Sequence, residues 1–355
     1  MAGQSGGNSG SRAEAKAGGE RIRVLVLSGV KEVKISGSSR GSVTVILRTQ
    51  RSASVNGAIE KLPLRFYPAG GVVKVNGKSY RGFIDVIHHK GKLLVVDDLM
   101  LEEYLAGLIN AEISSSWHIE AIKAQAVIAR TYALYKKYDN NNPNSSGHYD
   151  LTSTNIDQVY EGASSEDSVA RRAVWKTRGE VLTYKGEIAL TVYHSNAGGR
   201  TEASADVWQS AYPYLRSVKS PHDRNAPSYS WDLDLSGEKL GEFLARIGIK
   251  SGKVKSIKIK KKSSSGRIML LEIKGKNKKV LVSGEDLRRA IGYGILRSTL
   301  FKINKRGGSF HFMGKGSGHG VGLSQWGAKG MAESGAKYKK ILRHYYNGTS
   351  IRKIY

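Results

Sequence analysis

The chain contains no cysteine. That excludes disulfide staples, thiolate metal sites and a cysteine nucleophile together, and leaves the compartment open. No apolar run approaches the length needed to span a bilayer. Met1 to Glu20 lacks the apolar stretch of a secretory signal and reads as a flexible linker. If the protein is exported, its signal or anchor is expected outside this chain. Acidic residues are scarce: 30 against 57 basic ones, a formal charge of +27. In the linker, Arg12 and Lys16 balance Glu14 and Glu20, so the excess sits on the folded part. Such a surface attracts polyanions: nucleic acid, anionic membrane or an acidic wall polymer.

Several catalytic signatures are also missing. No HExxH zinc motif and no G-x-S-x-G elbow occurs. Gly314, Gly316, Gly318, Gly320 and Gly322 form a glycine-rich loop before a helix, which first suggests phosphate. Gly316 follows Lys315 where a Walker loop needs Ser or Thr, and no βαβ unit follows for a dinucleotide. The loop reads better as one that lets another chain pass close to its backbone, with His319, Ser324 and Gln325 presented beside it. His194, His311 and His319 have no ligand-like spacing, so no metal and no cofactor are expected. His194 and Ser195 are neighbours on a predicted strand and point to opposite faces, which disfavours a Ser–His pair.

What is present predicts a mixed α+β fold. Residues 1–20 are the linker and 21–99 a β-rich part, with hairpin turns at "VNGK" and "HHKGK". The core's first half spans 100–230, an α/β subdomain with basic strands 231–304, and the core's second half 305–355. The cleft is then built from several segments. A central alanine-rich helix is expected from about Trp117 to Tyr138, capped by Ser114, Ser115 or Ser116. "DNNNPNSSGH" reads as a loop, and "EVLTYKGEIALTVYHSN" as a hairpin turning at Lys185-Gly186. "KVKSIKIKKK" reads as a strand with one solvated basic face, equally an aggregation guard or a polymer-binding face. No internal repeat is apparent.

Glu112 stands at the joint between an apolar helix and the alanine-rich one. It reads locally either as a solvated helix-end carboxylate or as a partly buried one, and burial would raise its pKa toward that of a usable general acid. Lys123 and Arg130, two turns apart, share a helix face. They read either as a solvated stripe or as cations lining a groove above Glu112. In the second case charge reversal at both is expected to weaken ligand binding more than it harms the fold.

Three blocks, "AEISSSWHIEAIKAQAVIARTYAL", "VYHSNAGGRTEASADVW" and "GHGVGLSQWGAKGMAESG", resemble in order the signature blocks of the sporulation stage II protein D (SpoIID/LytB) family. The resemblance implies a peptidoglycan lytic transglycosylase. Such enzymes cleave the β-1,4 bond between N-acetylmuramic acid and N-acetylglucosamine, preferably in peptide-free glycan, leaving a 1,6-anhydro end. It places the catalytic glutamate on Glu112 and other cleft groups on Lys123, Arg130, His194, Ser195, His319, Ser324 and Gln325. It further implies an extracytoplasmic place in the cell envelope and an N-acetylmuramoyl-L-alanine amidase as partner. Nucleic acid is not expected, because no helix-turn-helix or aromatic platform is visible. Ile113-Ser114 and Trp117-His118 stand where the family often has Met-Pro and Trp-Pro. Where some members hold zinc through cysteines near the second block, this chain has Ala197 and no thiol. A non-catalytic amidase enhancer and a water-using muramidase with Asp150, Asp157, Glu161, Glu202 or Asp206 as second carboxylate remain alternatives.

Overall fold

A computed structural model describes residues 19–139, 147–208 and 210–355. Most of the predicted linker and of the 139–148 loop lies outside the described residues. The fold is mixed α+β, as expected. Val33, Ile35, Val43 and Val45 alternate with exposed residues and bury one face of a six-stranded antiparallel sheet. A five-stranded sheet pairs Arg21–Val30 with Lys92–Met100, which pairs in turn with Phe83–His89. The turns Asn76-Gly77, Lys90-Gly91 and Lys185-Gly186 all take positive φ at both residues. That matches the right-handed twist of the flanking strands, as the sequence reading required.

The alanine-rich helix runs from Ile119 to Tyr138. Its first turn is not capped by a serine. His118 is the N-cap, its ring nitrogen accepting from Glu120 N at 3.2 Å. The serines close a turn of their own, Ser116 N donating to Ser114 Oγ at 3.2 Å, which delays the helix by two residues. The helix is central in a specific sense. Ala126, Ala129 and Ala133 pack into the core beneath the N-terminal sheets. Ala121, Ala124, Val127 and Ile128 pack into a second core with Leu323, Ile341, Tyr345 and Tyr346. Methyl side chains let both cores approach one backbone closely, so the helix forms the wall between them.

Beyond Glu187–Ile188 the predicted hairpin ends early. Its continuation leaves that sheet, and Tyr193–His194 pair in parallel with Leu323–Ser324 instead. The ladder of Glu180–Tyr184 is taken on its other side by the terminal strand Ser350–Lys353. Among the described residues no helix is long and apolar enough to cross a membrane.

The stretch from Trp231 to Phe312 has its own apolar cluster. Two helices there, Gly237–Arg246 and Gly284–Ile291, begin alike as Ser-Gly-Glu-x-Leu, a short repeat that the sequence reading missed. Each serine caps its helix. Each glycine lies against a strand carbonyl: a Cβ at Gly237 would overlap Val254 O, and one at Gly284 would overlap Ile268 O. Alanine normally favours a helix by about 1 kcal/mol over glycine. Here overlap reverses the sign. Gly284→Ala is expected to destabilise by roughly 1–3 kcal/mol, read as a lower midpoint in denaturant unfolding.

Candidate active site

Glu112 is the last residue of the helix Leu101–Glu112, whose buried Leu105, Leu108 and Ile109 draw that end into the protein. No cation occupies the last turn of the helix. The negative end of the helix dipole therefore disfavours ionisation of Glu112. Burial raises its pKa above the ordinary carboxylate value, opposed by the Val159 N–H, the Tyr193 hydroxyl and Gln325. Val159 N donates to Oε1 at 2.9 Å, and Gln325 Nε2 stands 3.5 Å from Oε2.

A one-way hydrogen-bond chain backs this carboxyl. Tyr104, two turns before Glu112 on the same helix, donates to Gln158 Oε1 at 3.1 Å. Gln158 Nε2 donates to the Tyr193 hydroxyl at 3.2 Å, leaving the Tyr193 proton directed at Glu112. Burial pushes Tyr104 and Tyr193 well above the usual phenol range. Both remain protonated donors. Tyr104, Gln158, Val159 and Tyr193 were not found from sequence. The available signal was their position: Tyr104 lies eight residues before Glu112, and Tyr193 directly precedes His194.

The predicted site residues divide. Gln325 meets Glu112. His194 and His319 lie together, ring centres 5.5 Å apart, with Trp208 packed on His319 at 5.4 Å. His194 Nδ1 bonds Val321 O at 3.0 Å, while its buried Nε2 has no hydrogen-bond partner among the described residues. Ser195 offers its carbonyl to Trp326 N at 3.0 Å, tying its strand to the helix Gln325–Glu333. Ser324 is fully buried. Its hydroxyl accepts from Gly327 N and contacts Asp223, so it caps that helix rather than facing the cleft. His311 sits apart, on Asp234 at 2.9 Å.

The cation reading is corrected by the structure. Arg130 is 0% exposed and donates to both oxygens of Glu102, at 2.9 and 2.6 Å, and to the carbonyls of Glu180 and Val174. It cannot reach a ligand, and reversing its charge attacks the fold first. Lys123 pairs with Glu120 at 2.8 Å beside the Tyr338 ring. Periodicity placed them on one face, but that face is covered by Glu102, the Glu180–Tyr184 strand and Tyr338.

The glycine-rich loop does let a chain pass, and that chain is the protein's own. Gly318 has φ 109° and would strike His194 with any Cβ; Gly322, at φ 72°, would strike Val192 O. Both positions demand glycine for handedness and for space.

Residues 89–184 match the family model described as stage II sporulation protein, and 214–322 match a domain of unknown function. An uncharacterized protein of Brachyspira hyodysenteriae is 36% identical over 78% of this chain and 73% of its own. A stage II sporulation protein D of Bacillus amyloliquefaciens is 33% identical, over 72% and 75%. An amidase enhancer of Bacillus subtilis is 31% identical over 80% of this chain and 46% of its own length.

Two outcomes are expected. Arg130→Met leaves the partly buried Glu102 without its cation and should cost about 3 kcal/mol, against about 1 kcal/mol or less for Lys123→Met; denaturant unfolding compares them. The second concerns pH. Burial, then the charges of Arg288 and Arg267, push His319 down to about 4. An unfolded histidine titrates at about 6.5. The unfolded chain therefore takes up a proton that the folded chain refuses. This contribution to stability is complete above about pH 6.5 and is lost as pH falls toward 4. Unfolding midpoints measured from pH 7.5 to 4.5 should fall, and His319→Gln should flatten the decline.

Proposed function

The chain belongs to the stage II sporulation protein D family, and on that premise we propose that it is a peptidoglycan lytic transglycosylase with Glu112 as its single acid and base. The observation that carries this reading is a buried carboxyl of raised pKa at a helix C-terminus, held by neutral donors and paired with no cation among the described residues. A protonated Glu112 donates to the glycosidic oxygen between N-acetylmuramic acid and N-acetylglucosamine. The substrate's acetamido group stabilises the oxocarbenium-like centre. Glu112 then takes the proton from the muramic C6 hydroxyl as that oxygen closes the 1,6-anhydro ring. Because the nucleophile is intramolecular, no second carboxylate has to position water. Tyr193 holds the ionised form between the two transfers, and its own proton stays in place because its pKa is so high.

The muramidase alternative gains little from three of its candidate second carboxylates. Glu202 is 1% exposed and takes the hydroxyls of Ser263 and Ser265. Asp157 is occupied by Thr152, Tyr132 and Lys136. Asp150 receives the N–H of Arg23. The amidase-enhancer alternative rests on the name of the Bacillus subtilis relative, of whose length this chain spans less than half. On either reading the protein works outside the cytoplasm on the cell envelope: on peptide-free glycan as a transglycosylase, or beside an N-acetylmuramoyl-L-alanine amidase as an enhancer.

Digestion of peptide-free glycan strands tests the assignment. Wild type is expected to yield ends one water lighter than reducing ends in mass spectra. Glu112→Gln should lower the rate by about 10²–10⁴-fold, and Tyr193→Phe by less. Reducing ends from the wild type, or undiminished cleavage by Glu112→Gln, would sink the mechanism. Amidase stimulation without any cleavage would favour the enhancer reading.

A further inference from the structure

Between Lys250 and Lys279 the chain places eleven lysines and Arg267 against one acid, Glu272. These residues build the sheet Val254–Lys262, Ile268–Gly275 and Lys279–Ser283. Its inner face carries Leu271, Ile273 and Val282, at most 2% exposed, against two helices. Its outer face is uncovered. The register sets Lys258, Glu272 and Leu281 in one row and Ser256, Lys274 and Lys279 in the next, and Leu281 is 61% exposed. Glu272 engages Lys279 at 2.8 Å and Lys260 at 4.0 Å. Lys255, Lys258, Lys261, Lys262, Lys274 and Lys278 make no ion pair among the described residues.

We propose that this outer face is a docking track for the acidic glycan that the cleft at Glu112 cleaves. The inference rests on the function proposed above and adds a second binding surface to it. Lysines that merely guard an edge strand against aggregation would lie on Val254–Lys262. They do not account for Lys274 on the central strand, nor for the lysines of the turn after it. The residue type favours a repeating carboxylate polymer. Lysine is a hydrated point charge on a flexible stem, suited to loose contact with successive charges, whereas arginine's fork fixes one geometry. The single arginine here is used for anchoring. Arg267, 2% exposed, donates to Ala197 O at 2.7 Å and Arg200 O at 2.9 Å. Ser263, directly after the lysine strand, donates to Glu202, whose N–H bonds Gly320 O at 2.8 Å. The track is thus fastened to the loops that carry His194 and His319, not tethered loosely to them.

The test uses the full chain carrying Glu112→Gln, so that strands survive the binding assay, with Lys258→Gln, Lys260→Gln, Lys262→Gln and Lys274→Gln added. These exposed substitutions should leave the unfolding midpoint unchanged. Affinity for long peptide-free strands is expected to fall roughly tenfold, at a factor of about two per exposed contact. Amidation of the strands' carboxyls should cause a similar loss with the lysines intact. With Glu112 restored, KM on long strands should rise by the same factor, while kcat and cleavage of short oligosaccharides hold. Unchanged binding by the lysine variant overturns the track. So does preferential binding of duplex DNA or polyphosphate that displaces the glycan. If the wild type cleaves nothing while the lysine variant still loses glycan affinity, the catalytic reading fails and the track stands.

Discussion

The guanidinium of Arg130 is the point at which the parts of this protein are fastened together. It is wholly buried, and a lone buried cation would cost several kcal/mol. Its donors are therefore matched closely: two oxygens of Glu102, the carbonyls of Glu180 and Val174, and at 3.5 Å that of Ala126. Glu102 in turn accepts from the Tyr355 hydroxyl at 2.7 Å and from Gly179 N. The first helix, the alanine-rich helix, the end of the Ser168–Lys176 helix, the following strand and the chain's last residue all meet there. Glu112 lies at the far end of that first helix. Fixing its start and packing its apolar face decides where the carboxyl ends up.

The same pairing keeps charge away from the site. A cation on Glu112 would lower its pKa and hold it ionised. Lys123 is turned toward Glu120 and Arg130 toward Glu102, so Glu112 is left to neutral donors. Its pKa then reflects burial and the helix end first, with hydrogen bonds moderating the shift. Neutral partners suit a group that must be protonated before bond cleavage and ionised after it, because each stabilises one form without locking it.

Local features were legible in the sequence and long-range ones were not. Asn-Gly and Lys-Gly turns announce positive φ, and alternation of Val and Ile announces a buried sheet face; both held in the N-terminal sheets. The burial of Glu112 was not legible locally, because an acid ending an apolar helix reads equally as a solvated carboxylate; the three blocks singled the residue out, and its cover comes from distant segments. Arg130 was misjudged because periodicity reveals which residues share a face and not what covers it. The covering groups Glu180 and Glu102 are 50 and 28 residues away. Val159 and Tyr193 reach Glu112 across 47 and 81 residues, and no local pattern encodes that meeting. The capping error had a closer cause: Ser114 and Ser116 bond each other in a turn of their own, so the cap passed to His118.

The lysine-rich stretch raises a topological problem that the structure solves by closure. Tyr193–His194 must pair with Leu323–Ser324, yet more than a hundred residues intervene. Chain inserted between two paired segments costs little only if its own ends meet. They do: Ser230–Ser236 and Ser309–Lys315 run antiparallel, opening with Ser230 opposite Lys315. Gly316 then donates to Tyr229 O at 2.9 Å and Trp231 Nε1 to Gly316 O at 2.9 Å, sealing the neck. Gly314 leaves no room for a Cβ beneath the Trp231 ring. The glycine-rich loop begins at this seal and runs directly against His194. Its glycines therefore serve two close approaches in succession, first to the neck of the inserted stretch and then to the backbone of the site. A side chain at either place would separate the halves of the cleft before it altered any reacting group.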